Sequence, residues 1–254
     1  MHYRWAHNKD FALGEFGKII LPDGDADAQR AAAEQASAMF QGAVPMLGAT
    51  PDMVPSIEAS YEGLLGELNT HFQNHDFLFG SRPSIGDFGL IGPLYAHQYR
   101  DPASGAIMKE RAPTVVEWVL RMQEPPALSA DKDTGAFLPD DAIPETLLPI
   151  LKRMMREQGP CLVDLVHQIA AWKEANPNTD IPRMIGMHAF SIDGTTGQRL
   201  ILPYTQWMLQ RAMADFDTEN IALMDFLEDI GGSELASLSI TAPVRRHQYK
   251  LMWA

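Results

Sequence analysis

Cysteine is almost missing from this chain: Cys161 is the only one. An intramolecular disulfide, a CxxC motif and a cysteine-rich zinc site are therefore excluded. The expected setting is reducing and cytoplasmic. Long apolar runs are missing too. No stretch approaches the roughly 18 continuous apolar residues of a membrane span, and residues 1–5 carry no apolar signal core. Basic residues are scarce, with 20 Lys and Arg against 33 Asp and Glu, for a formal charge of −13. That sign disfavours phosphate backbones and anionic lipid, so neither nucleic acid nor membrane is expected as a partner. No Lys or Arg lies between Arg211 and Arg245, where Asp215, Asp217, Glu219, Asp225, Glu228, Asp229 and Glu234 fall. This reads as a solvated acidic helix with a basic tail, Arg245, Arg246 and Lys250, folding back on it. Gly-x-Ser-x-Gly, Gly-x-Gly-x-x-Gly, Gly-Lys-Ser/Thr and His-Glu-x-x-His are all absent. Simple serine hydrolase, dinucleotide, P-loop and zincin readings have no support.

What is present is an ordinary globular composition, 46% hydrophobic and 21% charged over 254 residues. Most of it reads at helical period. Asp25 caps an Ala-rich helix predicted to reach Phe40 and stop at Gly42. A helix from about Asp52 carries Val54, Ile57, Tyr61, Leu64, Leu68 and Phe72 on one face, with Pro55 in its first turn. The next is predicted over 84–99, with Phe88, Ile91, Tyr95 and Tyr99 on one side and Asp101-Pro102 as its stop. Pro113 starts another, with Val115, Trp118, Val119 and Met122 inward, ended by Pro125-Pro126. Residues 124–144 read as a loop. Thr146 caps a helix to about Gln158. Gly159-Pro160 breaks it and starts a further helix bearing Leu162, Leu165, Val166 and Ile169. The period then changes: residues 187–192 and 199–202, about a turn cluster at 193–197, read as one β-hairpin. Helices resume near Thr205 and Thr218, the last with Leu223, Phe226, Leu227 and Ile230 inward and Gly231-Gly232 as its stop. The expected fold class is all-α with a small hairpin near 187–202.

The most specific string is Phe77-Leu78-Phe79-Gly80-Ser81-Arg82-Pro83-Ser84-Ile85-Gly86-Asp87-Phe88. Its core is a capping box: Ser84 accepts from the Asp87 amide, and the Asp87 carboxylate reaches back to the Ser84 amide. Loss of Asp87 is expected to cost roughly 1–2 kcal/mol on this basis. The string resembles the N-capping box of the central helix in the C-terminal domain of glutathione S-transferases. Phe77, Leu78, Gly80, Ser84 and Asp87 match that pattern, and Gly86 stands where the family usually has Ala. The helix containing Val115, Trp118 and Met122 resembles the next helix of the family's domain. The resemblance covers about residues 1–175 and implies a helical domain there, with 176–254 as an extension of hairpin and helices. It implies that Ser84 and Asp87 are folding residues. It also implies that the family's thioredoxin-like half, with the glutathione site and the catalytic Ser, Tyr or Cys, is not represented in this sequence.

The resemblance places Tyr95, Tyr99 and Arg100 on the wall that binds a small apolar electrophile, with Tyr3 and Trp5 facing the same cleft. Glutathione would be a co-substrate of the missing half, and no other cofactor is implied. No catalytic residue is assignable, so the chain alone is expected to be inactive. The alternative is a non-catalytic interaction or assembly module of the same fold. A face left bare by the missing half makes a homo-oligomer the expected state. Two other features carry candidate chemistry. Cys161, read as lying in the first turn of a helix, gains acidity from the helix dipole, but a small buried apolar residue is the commoner role. His71 and His75 with Asp76 have metal-like spacing, but histidines at a helix C-terminus suit the dipole. No metal ligand is assigned.

Overall fold

The structure is a computed structural model and describes residues 1–124, 135–214, 216–217 and 219–254. It is mostly helical, with two small antiparallel hairpins. No helix among the described residues is long and apolar enough to cross a membrane. The chain divides into two compact units, residues 1–44 with 57–150, and residues 45–56 with 151–254.

The first unit draws on α1 (His2–Ala6), α2 (Lys9–Ile20), α3 (Ala26–Met46), α4 (Val54–Phe72), α5 (Ile85–Pro93), a π-helical turn (Leu94–Tyr99), α6 (Pro102–Arg111) and α7 (Pro113–Arg121). Asp25 caps α3 as expected, its Oδ1 accepting from the Ala28 amide at 2.8 Å. The helix runs past Gly42, which is exposed and right-handed. The left-handed glycine just beyond its end is Gly48, at φ +98°. On α4, Tyr61, Leu65, Leu68 and Phe72 are buried. On α7, Val115, Trp118 and Val119 are fully buried, and Trp118 stacks on Phe72 with centroids 5.0 Å apart. The predicted stop at Pro125-Pro126 lies outside the described residues.

The helix predicted over 84–99 changes register part-way. Pro93 has no amide to bond the carbonyl four residues back, and the π-helical turn begins at the next residue. Phe88, expected inward, is exposed, while Leu94, where the wider turn begins, is buried. Gly105 on α6 lets the two elements meet: a Cβ there would lie 2.5 Å from the Tyr99 carbonyl oxygen.

The second unit is built on most of α8 (Leu148–Ala175), with β1 (Met187–Ile192), β2 (Thr195–Leu200), α9 (Pro203–Met213), α10 (Ile221–Asp229), α11 (Ser233–Ala236), β3 (Val244–His247) and β4 (Lys250–Trp253). The expected break at Gly159-Pro160 does not occur, and α8 is one helix with Pro160 inside it. Burial of Leu165, Val166 and Ile169, packed with Ile201, Leu209 and Leu235, offsets a proline cost of roughly 3 kcal/mol. Thr146 does not cap it and lies in a short 3-10 turn, residues 145–147.

The first hairpin is tighter than expected. Ile192 pairs with Thr195, so the turn is Asp193-Gly194 alone, both at positive φ, as a two-residue hairpin turn requires. Asn220 caps α10 by accepting from Leu223, whereas Thr218 lies outside the described residues. The basic tail folds back as strands β3 and β4, but onto α9 and not, as expected, onto the acidic helix. Gln210 exchanges two hydrogen bonds with the Val244 backbone, 2.9 and 3.0 Å, and Gln206 donates to the Ala242 carbonyl.

Gly105→Ala should cost roughly 1–3 kcal/mol, because backbone must move to admit the methyl group. The urea midpoint of the variant measures this, and an unchanged midpoint contradicts the close approach.

Candidate functional site

Asp87 organises the neighbourhood of the site. It is completely buried. Its Oδ2 accepts from the Ser84 amide at 2.8 Å and the Ser84 hydroxyl at 2.7 Å. Its Oδ1 accepts from the Leu78 amide at 3.1 Å and the Trp118 indole at 3.0 Å. Ser84 Oγ accepts in return from the Asp87 amide, closing the capping box. The carboxylate therefore does more than cap: it ties the 77–84 loop, α5 and α7 together. A Cβ on Gly86 would lie 2.9 Å from Leu78 Cδ1, so glycine makes room for Leu78.

The residues expected to contact substrate lie on the π-helical turn and just beyond it. Tyr95 and Tyr99 are half-buried and stacked, centroids 6.2 Å apart at 23°. Lys109 sits over the Tyr99 ring. Exposed Arg100 pairs with Glu15 at 2.9 Å. The tyrosines are thus less open than the expectation of a bare face required. Large exposed apolar side chains of this unit include Ile19, Ile20, Leu21 and Met39 instead.

The end of this turn is held by polar groups from elsewhere. Arg4 grips buried Asp101 through Nε and Nη2 and also donates to the Ala96 carbonyl. The Ser104 hydroxyl donates to the Gln98 carbonyl at 2.9 Å. These partners satisfy carbonyls that a regular helix would have paired internally. Three buried polar atoms at or beside this region have no partner among the described residues: Trp5 Nε1, His97 Nδ1 and Gln98 Oε1. Burial first, then the Arg4 cation, push the His97 imidazole below its ordinary pKa. π-helical turns are frequent at functional sites, and each unpartnered buried polar atom beside one calls for a reason. Tyr3 is buried and packs against Tyr61 with its ring tilted by 60°, while Trp5 leans on Phe16.

Cys161 is not at a helix start: it sits inside α8 and is buried. Burial pushes its thiol above the ordinary value, with Arg199 acting in the opposite direction. Its Sγ lies 3.6 Å from His188 Nε2, and His188 Nδ1 lies 2.9 Å from Asp164 Oδ2. The helix-dipole route to a reactive thiol therefore fails.

His71 is fully buried with both ring nitrogens engaged, Nδ1 with the Thr146 hydroxyl at 2.9 Å and Nε2 with the Phe77 carbonyl at 3.3 Å. It stacks on His75, and Asp76 turns toward Arg121. These three do not converge as metal ligands. His2, His7 and Glu58 do, and no local spacing marks them, because Glu58 lies on a different helix.

A cavity of about 580 Å³ is lined by Gly63, Gly66, Glu67, Thr70 and Thr146, and one of about 440 Å³ by Phe79, Ile85, Phe137 and Leu138. Neither includes Tyr95 or Tyr99. No family model, curated protein or solved structure matches the chain.

Asp87→Ala should cost roughly 3–5 kcal/mol, beyond an ordinary cap, because buried donors lose their acceptor. Asp87→Asn should also destabilise, by about 1–3 kcal/mol, since its amide NH2 must face donors. Chemical denaturation decides both, and a loss of no more than an ordinary cap for Asp87→Ala contradicts the four-donor arrangement.

His71, like His97, has its pKa lowered in the folded state, chiefly by burial. Such a group contributes stability that is present above the unfolded imidazole value of about 6.5 and is lost as pH falls through and below it. Urea midpoints should drop between about pH 7.5 and pH 5.5, and less steeply in His71→Gln. Equal slopes contradict the assignment.

Proposed function

We propose that this chain is the helical half of a glutathione S-transferase-like protein, contributing the wall that holds a small apolar electrophile. The observation that carries this reading is the reciprocal capping box of Ser84 and Asp87, formed on the motif that resembles that family. In support, Trp118, from the helix that resembles the family's next one, donates to the same carboxylate.

On this reading Tyr95 and Tyr99 offer aromatic surface to the electrophile, and Arg100, paired with Glu15, stands at the rim. The reaction would be attack of the glutathione thiolate on the electrophilic carbon with departure of its leaving group. Activation of the thiol belongs to a thioredoxin-like half. Homo-oligomerisation is part of the same proposal, and a strict monomer in sedimentation across a concentration series contradicts that part.

The chain by itself should bind an apolar aryl halide without turning it over when glutathione is added. Tyr99→Ala should weaken that binding roughly 3- to 10-fold, the value of one aromatic contact. Fluorescence titration and a chromogenic conjugation assay read the two outcomes. Turnover by the chain alone, or binding indifferent to Tyr99→Ala, contradicts the proposal.

A further inference from the structure

We propose that His2, His7 and Glu58 form a site for a zinc-class divalent cation, with three protein ligands and one position open to solvent. All three belong to the first unit. His2 opens α1 and His7 caps its C-terminal end. That short helix folds the two imidazoles onto one side, with ring centroids 5.2 Å apart in an edge-to-face arrangement. Glu58 approaches from the second turn of α4.

The geometry matches a tetrahedral metal centre. His2 Nε2 lies 2.8 Å and His7 Nε2 3.7 Å from the same carboxylate oxygen, Glu58 Oε1. The three ligand atoms lie within 4.8 Å of one another. Zinc–ligand bonds of about 2.0–2.1 Å put neighbouring ligand atoms about 3.3 Å apart in a tetrahedron. The two distances to Glu58 bracket that edge, and the two imidazole nitrogens lie within 4.8 Å of each other, so a side-chain adjustment at half-exposed His7 would close the set around an ion. One hydrogen bond holds His2 to Glu58 and does not account for His7, which stands at ion-pair distance. His2 and Glu58 are at bonding distance, but His7 at 3.7 Å is too far to donate.

The chemistry of the set selects the ion. Two imidazoles and a carboxylate suit zinc and its first-row neighbours, whereas Mg2+ and Ca2+ prefer all-oxygen cages. Glu58 supplies the negative charge of the set. Access is open as well. The His7 side chain is 50% exposed and that of Glu58 34%, while His2, at 11%, anchors the inner side. Three protein ligands with a solvent-facing fourth position is the arrangement of zinc sites that keep a water or take an exogenous ligand.

The test is calorimetric titration of Zn2+ into the full chain, carrying no affinity tag and stripped by chelator, in excess Mg2+. One Zn2+ per chain is expected. His7→Ala and Glu58→Gln should each lower the affinity at least roughly tenfold, the minimum seen even for residues that only support ligands. His247→Ala, an exposed histidine in the other unit, should leave binding unchanged. Zn2+ should raise the melting temperature of the parent and not of the two site variants. Absence of stoichiometric binding, or equal affinity in parent, His7→Ala and Glu58→Gln, overturns the proposal. If Glu58→Gln does not fold, His7→Ala, at a half-exposed position, decides alone.

Discussion

A single buried carboxylate sets the arrangement of the first unit. Asp87 has no water to satisfy it, so each of its oxygens must be met by protein donors. Four donors, three from the 77–84 loop and one from α7, meet it. Once the Leu78 amide, the Ser84 amide and hydroxyl, and the Trp118 indole are committed, α5 and α7 are fixed against each other. Trp118 in turn stacks on Phe72 and so brings in α4. The specificity comes from the cost of failure, since displacing any segment strands a charge or a donor in the interior.

From that fixed start, α5 runs outward until Pro93 interrupts its hydrogen bonds and the chain widens into a π-helical turn. Its irregular end is secured from outside by Arg4, Asp101 and Ser104. The result places Tyr95, Tyr99 and Arg100 beside unpartnered Trp5, His97 and Gln98 atoms. On the proposed reading, the two tyrosines would meet the apolar part of a ligand there. The His2, His7 and Glu58 cluster rests on a different chemistry, charge and nitrogen donors on an open surface, and its proposed ion does not depend on the aromatic wall.

Much of this was legible in the residues where the physics is local. The Ser84–Asp87 spacing specified the capping box, Asp25 announced α3, and the 193–197 cluster marked the hairpin, with its turn read too wide. The inward stripe of α7 came directly from its period. The features that were not legible depend on partners distant in sequence. Nothing near Pro160 says that packing around Leu165 and Ile169 will carry α8 through it. The extra donors on Asp87 lie at Leu78 and Trp118, and no spacing rule predicts an indole 31 positions away. Cys161 looked like a helix start only because α8 was divided at Gly159. The β3–β4 hairpin is docked by Gln206 and Gln210 from an earlier helix, which no local pattern announces. The His2, His7 and Glu58 cluster joins two helices more than fifty residues apart.

The most direct test of the central claim is native-state hydrogen exchange at the Trp118 indole and at the Leu78 and Ser84 amides. If Asp87 is the anchor described, these three protons exchange together, at the rate of the unit's most protected amides and with the same denaturant dependence, because none can be freed without unfolding the others. Independent, fast exchange of the Trp118 indole, while α7 amides stay protected, would show that the carboxylate does not bind these segments together.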